Sequence, residues 1–261
     1  MKFNVVYNKN IENSSQILTQ IEVLLSKYKL EYKILELSSL ETFGDFTFVI
    51  GGDGTILRAA RFYSETKTPV LGINLGRLGF LSQANCNKTE ELLNSILEKN
   101  YLIEERIMLE SSEKLALNDF VIKGCTPSRT SKFYLEINGK EVCDYIADGL
   151  IISTPTGSTA YGLSAGGPVV YPTMDAIIIV PICPHTLNAR PLVVPSSENI
   201  TIRTADKLLS VSIDGYETEN CVDKITIKTS SKKAYLAFLK DERFYSVLRN
   251  KLHWGIAPSR F

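Results

Sequence analysis

With 261 residues, the chain is long enough for one large domain or two ordinary ones; its 29 lysines and arginines balance 29 aspartates and glutamates, so no global field would draw it to nucleic acid or an anionic membrane. That length excludes a stapled mini-protein, and the five cysteines (Cys86, Cys125, Cys143, Cys183, Cys221), odd in number, widely spaced and without a C-x-x-C pair, read as free thiols in a reducing compartment, the cytoplasm. The N-terminal segment turns polar within one strand length and the longest apolar run, 176–183, is too short for a bilayer, so neither export nor membrane anchoring is expected.

Residues 2–7 predict a strand, and 14–28 a helix with Ile17, Leu18, Ile21, Leu24 and Leu25 on one face. Strands at 31–37, 46–50 and 70–73 follow, with a helix at 55–63, the rhythm of a parallel sheet with crossover helices. After a helix at 89–99 the pattern changes to closely spaced strands at 101–109, 114–123, 132–137, 141–146 and 150–153, with Asn138-Gly139 as a hairpin turn. Further strands are expected at 176–180, 199–203, 208–213, 224–227 and 234–239, and a closing helix at 241–252 carries Phe244, Val247, Leu248 and Leu252 on one side. The expected architecture is an α/β Rossmann-like domain over 1–100, a β-rich, sandwich-like domain over 101–238, and a C-terminal segment, 239–261, whose helix docks back on the first domain.

The apolar run 46–50 feeds directly into Gly51-Gly52-Asp53-Gly54-Thr55 and then a helix. Glycines at a strand-to-helix junction leave backbone amides uncovered, and the helix N-terminus adds donors and partial positive charge, a combination suited to phosphate. A carboxylate is out of place there unless Asp53 caps the helix, holds a magnesium ion, or takes a proton from an attacking hydroxyl. Neither G-x-x-x-x-G-K-[ST] nor a post-strand G-x-G-x-x-G is present, which disfavours a P-loop NTPase or a dehydrogenase. A second glycine cluster, 72–81, contains Arg77 and Phe80 and would lie at the same carboxyl edge of a parallel sheet.

Residues 148–168 form a strand running into about fifteen small, hydroxyl-bearing or glycine residues, which must gain order by wrapping a ligand, by turn structure, or not at all as a linker. Adenine recognition suits such a run, with hydroxyls for ring nitrogens and Tyr161 for stacking. Asn118-Asp119 puts two polar residues inside a strand-like run, and Asp214-Gly215 ends another strand as a possible turn. The two histidines, His185 and His253, lack cysteines at ligand spacing, so no zinc site is expected and any metal would be oxygen-bound magnesium.

Taken in order, residues 51–55, 74–81, 118–119, 148–168, 182–194, 212–215 and 244–254 resemble the bacterial NAD kinase family, with the 154–168 and 182–194 runs particular to it. The resemblance implies phosphorylation of the adenosine-ribose 2′-hydroxyl of NAD, with ATP or polyphosphate as donor, Mg2+ or another divalent cation accompanying ATP, a site between two domains, and homodimers or homotetramers built through the β domains. It implies Asp53 as the carboxylate acting on that hydroxyl, Gly51, Gly52, Gly54, Thr55 and Arg77 near phosphates, and Asp53 and Gly54 against NAD. Asn118 and Asp119 correspond to the pair holding the NAD ribose and diphosphate, where the acid is usually glutamate. Phe80, Thr159, Tyr161 and Ser164 correspond to positions around adenine, with Thr156 and Ala160 also against NAD. Asp148 corresponds to an acid reaching the nicotinamide end across a subunit boundary, and Asp214 to an acid near the substrate.

A lipid or sugar kinase would share the G-G-D-G-T loop, and a nucleotide-sensing module could keep the binding residues without catalysis.

Overall fold

The computed structural model describes residues 1–75, 79–85, 89–125, 130–205, 208–239 and 243–254. The chain forms two compact units: residues 1–105 with 234–261, and residues 106–233.

The first unit opens with β1 (Lys2–Tyr7), α1 (Ser14–Lys27), β2 (Glu31–Glu36), β3 (Phe46–Ile50), α2 (Asp53–Tyr63), β4 (Val70–Asn74), β5 (Ser82–Asn85) and α3 (Thr89–Leu97). Its sheet is parallel: β1 lies between β2 and β3, and β4 follows β3. β3 and β4 are buried along their whole length, as parallel strands covered on both faces must be. Ile17, Ile21 and Leu25, four residues apart on α1, share one core with Leu92, Leu93 and Ile96 of α3 and with Phe3, Phe46 and Phe48 of the sheet. The Phe3 and Phe48 rings stack at 5.3 Å. Gly51 donates its N–H to the carbonyl of Ile73 at 3.0 Å, so the ends of β3 and β4 lie side by side.

The second unit is built from the latter part of β6 (Tyr101–Ser111), then β7 (Lys114–Ala116), β8 (Asp119–Gly124), β9 (Ser131–Ile137), β10 (Lys140–Ala147), β11 (Gly149–Ser153), a 3-10 turn (Thr156–Thr159), α4 (Tyr161–Ser164), β12 (Ala176–Ile182), β13 (Leu192–Pro195), β14 (Ile200–Thr204), β15 (Leu209–Ile213) and β16 (Glu217–Val222). The long β17 (Lys224–Leu239) begins in this unit and ends in the first, before α5 (Arg243–Leu252). One antiparallel sheet runs β13-β12-β11-β8-β15-β16, and another stretch orders β10, β9, β14 and the start of β17. Phe120, Ile122, Leu150, Ile152, Ile177 and Val211 of the first pack with Phe133, Leu135, Ile200, Ile202, Ile225 and Ile227 of the second in one core, which makes this unit a β-sandwich. On the outer face of the first sheet, Val121, Ile151, Ile178 and Val180 form a smaller core with Val170, so that sheet is covered on both sides.

Several boundaries differ from expectation. The expected strand 114–123 is two strands, broken at Leu117 and Asn118, and the expected strands 224–227 and 234–239 are one continuous strand. The polar stretch 228–233 lacks the apolar alternation that reveals a strand in sequence, and backbone pairing carries it through. β5, β13, β16, the 3-10 turn and α4 have no counterpart in the expected elements. The helix α5 buries Val247 and Leu248 and belongs to the first unit. Among the described residues no helix is long and apolar enough to cross a membrane.

Candidate functional site

In the first unit the glycine-rich turn leaves β3 and enters α2 with Gly52 as N-cap and Asp53 as the first helical residue. Gly52's carbonyl accepts the N–H groups of Thr55 and Ile56 at 2.9 and 3.2 Å, and no side chain caps this helix. Asp53 is therefore not a cap. Its carboxylate reaches across to the second glycine cluster, where Oδ2 accepts the N–H of Phe80 at 2.9 Å and Oδ1 that of Leu81 at 3.2 Å. Two backbone donors hold the carboxylate in one orientation, and 32 % of the side chain stays open to solvent, enough for a further partner.

Two neighbours complete this constellation. A methyl group placed on Gly79 would stand 1.9 Å from Asp53 Oδ1, so the absence of a side chain there makes room for the carboxylate. Gly79 itself donates to Ser82 Oγ at 2.7 Å, which fixes the peptide. From α5, Lys251 Nζ lies 3.5 Å from Asp53 Oδ2 and 4.9 Å from the centre of the Phe80 ring. Lys251 follows buried Val247 by four residues, and that spacing keeps it on the face turned toward the unit. Gly79 belongs to the second glycine cluster already marked in the sequence, whereas Lys251 and Ser82 carry no local signal there beyond the apolar stripe of the last helix, which had to dock somewhere. Thr55 is buried under the turn, and Arg77 lies outside the described residues.

The second unit carries a cleft of about 510 Å³ on the outer face of its first sheet. Asn118, Asp119, Ala160, Tyr161 and Asp214 line it, together with Val121, Lys123, Ser210 and Ser212. The period-2 alternation of β8 and β15, with Ser210 opposite Lys123 and Ser212 opposite Val121, aims these side chains to one face, a signal present in the sequence. Asp214 sits at positive φ with Gly215 in the turn closed by Tyr216 N–H on the Ile213 carbonyl, so its turn role holds. Its carboxylate does more: it accepts the N–H groups of Leu117 (3.0 Å), Asn118 (2.8 Å) and Asp119 (3.1 Å), the three amides released where the strand breaks. Asp119, 4 % exposed, is pushed up to about 7 by burial and then by the nearby charge of Asp214.

The small-residue run is neither a linker nor a bare wrapper. Thr154 Oγ1 donates to the Leu117 carbonyl at 2.6 Å and accepts the Gly157 N–H at 3.0 Å, while Ser153 Oγ donates to the Asn118 carbonyl. Ser158 Oγ bonds the Pro155 carbonyl at 2.7 Å and accepts the Val170 N–H at 3.1 Å, and Thr156 Oγ1 accepts from Arg106 at 3.3 Å. A Cβ on Gly157 would meet the Asn118 carbonyl at 2.2 Å, so the turn seats directly on the Asn118 peptide. Most hydroxyls of the run thus hold the backbone, while Ala160 and 41 %-exposed Tyr161 face the cleft. Thr159 is half-buried and Ser164 exposed, and neither lines it. Asp148 is exposed at the other end of β11 from Ser153, the residue opposite Asp119, roughly 16 Å away at strand rise. A single chain does not bring it to this cleft.

The ATP-NAD kinase N-terminal domain family matches residues 3–101, and the ATP-NAD kinase C-terminal domain family matches residues 117–239. The NAD kinase of Pseudomonas putida (strain GB-1) is 42 % identical over 225 residues, covering 81 % of this chain and 76 % of the relative. That of Magnetococcus marinus is 41 % identical over 241 residues, covering 85 % and 79 %. Among solved structures, an NAD kinase from Archaeoglobus fulgidus in complex with ATP is similar with TM-score 0.80 and 30 % identity over 97 % of this chain and 99 % of that one. Yeast NADH kinase complexed with NADH, at 23 % identity and TM-score 0.89 over 100 % and 90 %, shares the fold. Matched by both domain families over most of its length and by close relatives over four fifths of it, the chain belongs to the NAD kinase family.

Proposed function

We propose that Asp53 is the general base of an NAD kinase reaction, orienting and deprotonating the 2′-hydroxyl of the adenosine ribose of NAD, with ATP or polyphosphate as donor. The observation that carries this reading is the carboxylate pinned by the Phe80 and Leu81 amides at the N-terminus of α2, where anions otherwise bind. A carboxylate there repels an incoming phosphate by about 4 kcal/mol per unit charge at 4 Å in a medium of intermediate dielectric. Such a group is tolerable when it has a proton to take. The Gly51 to Thr55 backbone then receives phosphate, with Arg77 beside it.

In the second unit, Asn118 and Tyr161 are the groups that hold NAD in this reading, Asn118 through its amide and Tyr161 by stacking on the base. Asp119, beside Asn118 in the lining of the same cleft, is assigned with it to NAD. Phe80, Thr156, Thr159, Ala160 and Ser164 are assigned to the same substrate, and Asp148 to the NAD of a neighbouring copy in a homodimer or homotetramer. The three described cysteines, Cys125, Cys143 and Cys183, are unpaired thiols, which supports a cytoplasmic home.

Magnesium enters this reading with the triphosphate, as part of the donor. The triphosphate itself supplies oxygens to a magnesium ion, and Asp53, whose side chain is partly open to solvent, would offer a carboxylate beside it. When bound, that ion neutralises charge on the phosphate oxygens.

The test is an NADP-formation assay coupled to an NADP-specific dehydrogenase, run with ATP-magnesium and with polyphosphate, and with diacylglycerol and fructose 6-phosphate as competing acceptors. NADP from NAD and no phosphorylated lipid or sugar is the expected result; calorimetric NAD binding without NADP would instead identify a sensor.

A further inference from the structure

Resting on the reading of Asp53 as the base, we propose that Lys251 is a second catalytic residue, whose ammonium meets an anionic oxygen of the transferring phosphoryl group while Asp53 takes the ribose proton. The starting point is a charge problem: the turn that should attract phosphate presents a carboxylate, and within the described residues Lys251 is the cation in ion-pair contact with it.

Lys251 does not reach Asp53 as a loose surface lysine. Its Nζ is located by two partners at once, Asp53 Oδ2 at 3.5 Å and the Phe80 ring at 4.9 Å, and the Phe80 N–H also holds that carboxylate. The helix bearing it is anchored by buried Val247 and Leu248, one turn earlier on the same side. A lysine serving only the end of α5 would satisfy the helix carbonyls, as Arg249 is also placed to do in that last turn. An exposed ion pair alone adds little to folding, so stability does not account for the convergence.

The reach follows from the reaction. A hydroxyl bonded to Asp53 lies about 2.7 Å from a carboxylate oxygen, and in-line attack brings phosphorus to roughly 3 to 3.5 Å from that hydroxyl. The equatorial oxygens of the phosphoryl group then fall within a rotation or two of the four-carbon stem of Lys251, whose ammonium has three donors and stands in ion-pair contact with Asp53. In the step itself the ribose 2′-oxygen bonds to the γ-phosphorus, and the bond from that phosphorus to the β,γ-bridging oxygen breaks. The proton goes to Asp53, ADP leaves, and Lys251 contributes charge alone.

The experiment uses the full chain as wild type, Lys251→Met and Lys251→Arg, with Lys251→Gln in reserve should the methionine variant fail to fold. NADP formation is measured against ATP and NAD at saturating magnesium, and binding of a non-hydrolysable ATP analogue with magnesium is measured by calorimetry. The expected outcome for Lys251→Met is a kcat lower by about 10- to 1000-fold, the range for losing one preorganised electrostatic contact, with KM for NAD within about twofold and analogue binding weakened. Lys251→Arg should recover most of the loss, while the melting temperatures of all variants agree within about 3 °C. A wild type that makes NADP beside a Lys251→Met enzyme with kcat within about twofold would overturn the role of Lys251 and leave that of Asp53 standing. If the wild type made no NADP, the function reading would fail instead, and equal analogue binding by wild type and Lys251→Met would overturn the phosphate contact as well.

Discussion

Gly79 and Asp53 fit together only because Gly79 has no side chain: a methyl group there would overlap Asp53 Oδ1 at 1.9 Å. The carboxylate cannot retreat without giving up the Phe80 and Leu81 amides. Gly79→Ala should therefore misplace the base, lowering kcat by about 100-fold for a displacement near 1 Å. Overpacking should cost about 1 to 3 kcal/mol in stability. Steady-state kinetics together with thermal melting checks both; unchanged kcat would mean that Asp53 need not hold its observed position.

Asp214 gathers three amides at the interruption between β7 and β8, those of Leu117, Asn118 and Asp119. Asp214→Ala strands those donors, and at about 1 kcal/mol or more each the loss should exceed roughly 3 kcal/mol. Asp214→Asn keeps an acceptor oxygen and should lose less. Because the same amides shape the turn presenting Asn118, KM for NAD should rise in both variants, with the alanine variant worse. Denaturant melts and NAD titrations supply the two readouts.

Asp119 predicts a pH dependence with a definite sign. Its folded value of about 7 stands above the unfolded value near 3.9, so the carboxyl weighs progressively against folding as pH rises between these values, most fully above 7. Asp119→Asn removes that buried charge. The variant should be more stable than wild type at pH 8, by on the order of 4 kcal/mol at most, and the advantage should vanish toward pH 4. Melting temperatures across that pH range measure it; an advantage that grows on acidification would contradict the assignment.

Tyr161 presents an exposed ring at the edge of the 510 Å³ cleft. If it stacks on a base, Tyr161→Ala should raise KM for NAD by about tenfold, from roughly 1 kcal/mol of stacking plus lost area, and Tyr161→Phe should stay near wild type. A large loss in the phenylalanine variant would mean that the hydroxyl, not the ring face, makes the contact.

The parts of this molecule that were legible in sequence are those written locally. β3 running into Gly51 to Thr55 is a continuous apolar strand followed by three glycines, and Asn138-Gly139 turns at positive φ between β9 and β10 as its chemistry requires. What escaped depends on contacts between distant segments. Asp214 meets the Asp119 amide across 95 residues, and Lys251 is one of many surface lysines until α5 docks. The hydroxyls of residues 153–158 illustrate the same limit: their number suggested a ligand, whereas Ser153 and Thr154 bond the backbone of Leu117 and Asn118 and Ser158 bonds that of its own loop.

If Asp53 acts on the ribose hydroxyl rather than on NAD binding, Asp53→Asn separates the two. The amide keeps the size of the side chain and can still accept one of the two backbone hydrogen bonds, but it is no base. In Asp53→Asn kcat should fall by about 10²- to 10⁴-fold, with calorimetric Kd for NAD within about threefold of wild type. Near-normal kcat in that variant would contradict that action of Asp53.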